Sequence, residues 1–92
     1  GGLCISREKH EVTANGERVS LTLKEYALLE LLMKNKDRVF SRDTLLREVW
    51  GYDFYGDDRT LDTHIKLLRK SLGEYARLIV TLRGVGYRFE TK

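Results

Sequence analysis

Residues Arg59 to Tyr87 read RTLDTHIKLLRKSLGEYARLIVTLRGVGY, and the interpretation of this stretch decides the fold. Laid out at about 100° per residue, Leu61, Ile65, Leu68 and Leu72 share one stripe, while Arg59, Thr63, Lys66, Leu67 and Lys70 fall on the opposite side. The spacing predicts an amphipathic helix over 59–72 with one face in the core and a basic face outward. Beyond it, apolar runs from Leu78 to Leu82 and from Tyr87 to Phe89 flank Arg83-Gly84-Val85-Gly86. This predicts a hairpin over 78–90 that carries an arginine on a glycine-permitted turn. A helix with cationic and hydroxyl groups outward fits the major groove of B-DNA: lysine and arginine meet phosphates or guanine edges, and threonine donates, accepts or touches a thymine methyl. An exposed arginine on a narrow finger suits the minor groove. A solvated surface helix has the same pattern, and it is the hairpin beside it that favours a nucleic-acid reader.

At 92 residues, with 34% charged and 41% hydrophobic residues and no proline, the chain has the composition of one ordinary globular domain. It contains no run of transmembrane length and no secretory signal pattern, so a cytoplasmic location and no membrane partner are expected. Cys4 is the only cysteine, which excludes an internal disulfide and a cysteine-based metal cluster; with His10 and His64 the only histidines, no metal or other cofactor is expected. Cys4 reads as a small strand hydrophobe. The net charge of +3 conceals an asymmetry. Residues 1–58 hold 9 basic and 11 acidic side chains, whereas residues 59–92 hold 8 basic and 3 acidic ones. Positive charge is concentrated in the helix and hairpin, which favours a partner of dense negative charge.

Along the chain, Gly1-Gly2 read as a linker or tag remnant, and the domain is expected to span residues 3–92. Leu3 to Ser6 alternate as a strand. Asn15-Gly16 is a strong hairpin turn that pairs Val12 with Val19 and Thr13 with Arg18, making the first 21 residues a small antiparallel sheet. Thr22-x-x-Glu25 is a capping box. The helix it starts carries Tyr26, Leu28, Leu29, Leu31, Leu32 and Met33, an apolar sector broad enough for a central core helix. Asn35-Lys36-Asp37 ends it and Val39-Phe40 form an extended link. Ser41 caps a second helix to about Trp50, with Leu45, Leu46 and Val49 inward. Gly51 to Asp58 form a loop; Asp57 or Asp58 is placed to cap the third helix, and Gly73 to stop it.

The blocks LTLKEYALLELL, VFSRDTLLREVWG, RTLDTHIKLLRKSL and LIVTLRGVGYRFE, in this order and spacing, resemble the effector domain of bacterial two-component response regulators of the OmpR/PhoB family, from about Leu3 to Glu90. The resemblance implies an α+β fold, a winged helix-turn-helix with an N-terminal four-stranded antiparallel sheet, three helices and a C-terminal hairpin wing. It implies sequence-specific binding of double-stranded DNA, with the third helix in the major groove and the wing in the adjoining minor groove. Head-to-tail pairs on direct repeats are implied as well, with the isolated domain a monomer that becomes a tandem dimer on DNA. It further implies an N-terminal receiver domain in the whole protein, phosphorylated by a sensor histidine kinase. RNA polymerase is implied as a partner of the loop carrying Tyr52, Asp53, Phe54, Tyr55 and Asp57.

Residue by residue, the match places Arg59 and Thr60 at the start of the reader helix as phosphate-positioning groups and Thr63, Lys66 and Leu67 on its groove-facing side. Arg69 and Lys70 add phosphate contacts, and His64 matches a histidine at the edge of the DNA contact. Thr81 and Arg83 match wing-tip contacts, Tyr87 reaches a phosphate with its hydroxyl, and Trp50 matches a phosphate-donating indole. Plainer readings stand beside these. Trp50 serves equally as a hydrophobic lid on the core, His64 as a ring satisfying a backbone group, and Tyr87 as a packing residue. Arg69 and Lys70 read equally as solvated cations. The rings of the 51–58 loop read equally as exposed or tucked inward. Leu67 departs from the pattern, since a leucine offers a base edge no hydrogen bond.

Two other functions are compatible with a small domain. An enzyme is disfavoured: the histidines sit in separate elements, no serine or cysteine has a partner at interpretable spacing, and Gly84 and Gly86 close a hairpin. No catalytic residues are expected. A protein-binding module would use the aromatic loop as its main surface.

Overall fold

Asn15 and Gly16 both adopt positive φ, 54° and 85°, which is the two-residue turn that matches the twist of the strands on either side. It joins β2 (Glu11–Ala14) to β3 (Glu17–Val19) in the expected register, Val12 opposite Val19 and Thr13 opposite Arg18. β1 (Leu3–Ser6) pairs antiparallel with β2 on the other side. The computed structural model describes residues 2–52, 54 and 58–90. The expectations for Gly1, Asp53, Tyr55 and Asp57, including the acidic cap ahead of the third helix, lie outside the described residues.

Among the described residues the N-terminal sheet has three strands, in the order β1-β2-β3, where the resemblance implies four. The cap of the next helix is the expected one. Thr22 accepts from the Glu25 amide and the Glu25 carboxylate accepts from the Thr22 amide, each at 3.2 Å, which satisfies two otherwise orphaned donors at the start of α1 (Leu23–Lys34). Glu25 is buried there because the cap gives its carboxylate a partner. α2 (Arg42–Trp50) begins at Ser41, whose hydroxyl accepts from the Thr44 amide. α3 runs from Asp58 to Leu72, and Gly73 at φ 58° ends it. A 3-10 helix follows over Gly73–Leu78, an element without a clear period in the sequence.

The extended link at Val39-Phe40 turns out to be structural. Phe40–Ser41 form β4, which pairs with β6 (Gly86–Phe89), and β6 pairs with β5 (Ile79–Leu82), so the wing belongs to a three-stranded sheet ordered β4-β6-β5. The helices meet over one core of Tyr26, Leu28, Leu29 and Leu32 from α1, Leu45 and Leu46 from α2, and Leu61, Ile65, Leu68 and Leu72 from α3. Leu31, Met33 and Val49 pack at its margin. Cys4 lies on β1 as expected, but its side chain is exposed and adds nothing to the core.

Gly86 is required by contact. A Cβ there would lie 1.9 Å from the Phe40 carbonyl oxygen, whereas at Gly84, with φ +75°, it would meet open space. Gly86→Ala is expected to cost about 3 kcal/mol, the upper end of overpacking effects. Gly84→Ala is expected to cost about 1 kcal/mol from the left-handed backbone alone. Urea unfolding of the two variants checks this; equal losses would show that β4 and β6 tolerate separation.

Candidate nucleic-acid interface

The four core leucine and isoleucine positions of α3 are at most 3% exposed, so the helix is set with its predicted polar face outward. Arg59, Thr63, Lys66, Leu67 and Lys70 are all exposed, Leu67 by 44%, and Thr60 is half-buried. On the wing, Thr81 and Arg83 are exposed. The turn at its tip closes through a bond from the Val85 amide to the Leu82 carbonyl, 2.9 Å, leaving Arg83 and Gly84 between them.

The flanks of α3 are as informative as its two faces. Asp62 and Arg69 are seven residues apart, two helical turns, and share one flank. Both reach the wing. Arg69 Nη2 donates to the Ile79 carbonyl and to Thr81 Oγ1, each at 2.7 Å, and its guanidinium lies 5.7 Å from the Tyr87 ring centroid. The Tyr87 hydroxyl donates to Asp62 Oδ1 at 2.7 Å, and Asp62 Oδ2 accepts from the Arg42 guanidinium. Arg42 opens α2, Asp62 and Arg69 stand on α3, and Tyr87 and Thr81 belong to the wing, so a single polar cluster joins three elements.

The opposite flank carries His64, whose Nδ1 donates to the Thr60 carbonyl at 2.8 Å and whose ring meets Trp50 edge-on at 4.9 Å between centroids. Trp50 is half-buried against the core, with Phe54 5.9 Å away and Lys24 Nζ 5.6 Å above the ring. The two rings described in the 51–58 loop divide between the alternatives: Phe54 packs on the core, whereas Tyr52 is 73% exposed and donates to Glu48 at 3.0 Å.

The structure thus sets Arg69 of α3 against the wing strand β5 and gives Tyr87, Arg69, Thr81, His64 and Trp50 partners within the fold. The Tyr87 proton expected at a phosphate goes to Asp62 in a residue only 7% exposed, and the Arg69 guanidinium is engaged with β5. Trp50 and His64 meet edge to face. Asp62 and Arg42 were missed. The available signal was an acid on a helix whose outward charges are otherwise basic. Among the described residues no group of three or more His, Cys, Asp or Glu side chains is placed to hold a metal ion, and no helix is long and apolar enough to cross a membrane.

Comparison with known proteins follows the same line. Residues 16–89 match the family described as transcriptional regulatory protein, C terminal. The chain is 54% identical over 92 residues to the transcriptional regulatory protein ResD of Bacillus subtilis, covering 96% of this chain and 38% of that protein's length. The response regulator DrrB of Thermotoga maritima, an OmpR/PhoB homologue, superposes with a TM-score of 0.90 at 34% identity, over 99% of this chain and 42% of that one. The DNA-binding domain of Klebsiella pneumoniae RstA, solved in complex with the RstA box, superposes with a TM-score of 0.86 at 32% identity, over 98% of this chain and 92% of that one.

The Tyr87 phenol is pushed up from 10.0 to about 12, by burial first and then by the hydrogen bond to, and charge of, Asp62; Arg69 and Arg42 oppose the shift. A phenol that holds its proton longer in the folded than in the unfolded chain stabilises fully below pH 10.0, and that contribution is lost as pH rises toward about 12. Denaturant unfolding across this alkaline range should show a fall in stability that is smaller in Tyr87→Phe. Identical pH profiles would contradict the Tyr87–Asp62 contact.

Proposed function

This chain belongs to the C-terminal DNA-binding domains of transcriptional regulatory proteins of the OmpR/PhoB response-regulator type, and on that premise we propose how it engages its target. The domain binds double-stranded DNA and regulates transcription, and it is not an enzyme. One observation carries the mode of binding: α3, with its exposed basic face, is fastened to the wing strand β5 at the exposed Thr81 by the 2.7 Å bond from Arg69.

In this reading α3 lies in the major groove, with Thr63, Lys66 and Leu67 toward base edges and Arg59, Thr60 and Lys70 toward phosphates. Thr81 and Arg83 reach the adjoining minor groove, where a narrow A·T-rich segment concentrates negative potential. Trp50 and His64 border the contact. Arg69 and Tyr87 stand apart, since Arg69 Nη2 and the Tyr87 hydroxyl are already engaged within the fold.

The chain spans 38% of the length of ResD. For the whole protein the same reading places an N-terminal receiver domain, phosphorylated by a sensor histidine kinase, ahead of residues 3–92, and locates the protein in the cytoplasm. The domain alone is monomeric and pairs in tandem on direct repeats. Its 51–58 loop meets RNA polymerase, with the exposed Tyr52 ring as the described part of that surface. Gly2, read as linker, touches the fold through its carbonyl, which accepts from the Asn15 amide at 2.7 Å.

Selection from a random duplex pool at two salt concentrations tests the reading: a shared motif and salt-dependent retention are expected, and recovery of no motif would overturn it. On the selected duplex, Lys70→Ala should weaken binding to cognate and random DNA alike and lower the salt slope by about one. Leu67→Ala should change sequence preference more than general affinity, because a leucine reads a thymine methyl and not a phosphate. Anisotropy titrations of both variants decide this, and equal loss on cognate and random duplexes for Leu67→Ala would remove that residue from the base-reading set.

A further inference from the structure

A helix and a wing that contact the same duplex gain from being one rigid unit. The second contact then forms without a separate ordering cost, as in any linked pair of binding elements. The apolar core takes Ile79, Tyr87 and Phe89 from the hairpin and β4 pairs with β6, but Thr81, Arg83 and the turn between the strands stand exposed beyond that packing. One flank of α3 adds directional polar bonds to that packing. Asp62 takes the Tyr87 hydroxyl of β6, and Arg69 takes the Ile79 carbonyl and the Thr81 hydroxyl of β5, so each strand of the hairpin is tied to α3 separately. Asp62 is in turn held by Arg42 from α2. The inner Arg69 bond, to a backbone carbonyl, fixes the strand itself and not merely a side chain.

We propose that Asp62 and Arg69 are positioning residues that hold the wing at the angle where one duplex reaches both α3 and Arg83, and so couple the two contacts without either side chain binding DNA. The proposal rests on the DNA-binding reading above. It assigns Arg69 a different task from the phosphate contact implied by resemblance: Arg69→Ala should leave the salt slope unchanged, whereas loss of a phosphate contact would lower it by about one.

The decisive experiment is a double-mutant cycle on the selected duplex, followed by anisotropy at fixed salt. In the otherwise unaltered chain, Arg83→Ala should weaken binding by roughly tenfold, within the range for removing one such arginine. In an Asp62→Asn background the same change should cost less than about twofold, because the wing is no longer presented. Lys70→Ala serves as the internal reference: its cost should be the same in both backgrounds, which a general loss of structure would not give. If Asp62→Asn fails to fold, Tyr87→Phe runs the same cycle by removing one hydroxyl. An undiminished cost of Arg83→Ala in the Asp62→Asn or Tyr87→Phe background, or a lowered salt slope for Arg69→Ala, overturns the proposal while leaving DNA binding intact. Absence of any salt-dependent DNA binding by the unaltered chain would instead remove the functional reading beneath it.

Discussion

The carboxylate of Asp62 is the point at which the second helix, the third helix and the wing are fastened together. One oxygen accepts from the Arg42 guanidinium and the other from the Tyr87 hydroxyl, 2.7 Å away. Charge-assisted hydrogen bonds are stronger and more directional than neutral ones, and a partly buried carboxylate stripped of its partners is costly. Asp62 therefore specifies an arrangement as well as contributing stability. β6 is paired with β5 along its length and with β4 at its start, so holding Tyr87 holds the whole small sheet.

Hydrophobic packing and polar fastening divide the work. The Leu61, Ile65, Leu68 and Leu72 stripe, buried against α1 and α2, determines which side of α3 faces outward. Packing alone leaves a helix some latitude of roll. Recognition needs the reading side chains held within about 0.5 Å and 10–20° of their working geometry. The two flanks supply that restraint by different means. On one, Asp62 and Arg69 make directional bonds to the wing; on the other, His64 and Trp50 make an edge-on ring contact against the end of α2. Between them Thr63, Lys66, Leu67 and Lys70 are exposed.

Much of this was legible in the residues because its causes are local. The Asn15-Gly16 turn, the Thr22 and Ser41 caps and the Gly73 stop each depend on the conformational habits of a few neighbouring side chains, and all appear where the sequence places them. The α3 stripe followed from helical period alone. What escaped was non-local. Phe40–Ser41 became a strand only because Gly86, forty-odd positions later, lets its backbone approach. Asp62 acquired its meaning from Arg42 and Tyr87, which lie 20 and 25 residues away. Arg69 read as one more outward cation because the period shows the stripe and its opposite but says little about a flank, where the neighbour is set by tertiary structure.

In the proposed mode of binding a single duplex is met at once by α3 in its major groove and by the wing in the adjoining minor groove. Methylation interference on the selected duplex tests it most directly, since dimethyl sulfate marks guanine N7 in the major groove and adenine N3 in the minor groove. Simultaneous engagement requires both classes of methylation to interfere within each bound half-site, in adjacent grooves on one side of the helix, with the adenine N3 signal lost in Arg83→Ala and the guanine N7 signal kept. Interference confined to one groove, or an adenine signal indifferent to Arg83, would contradict it.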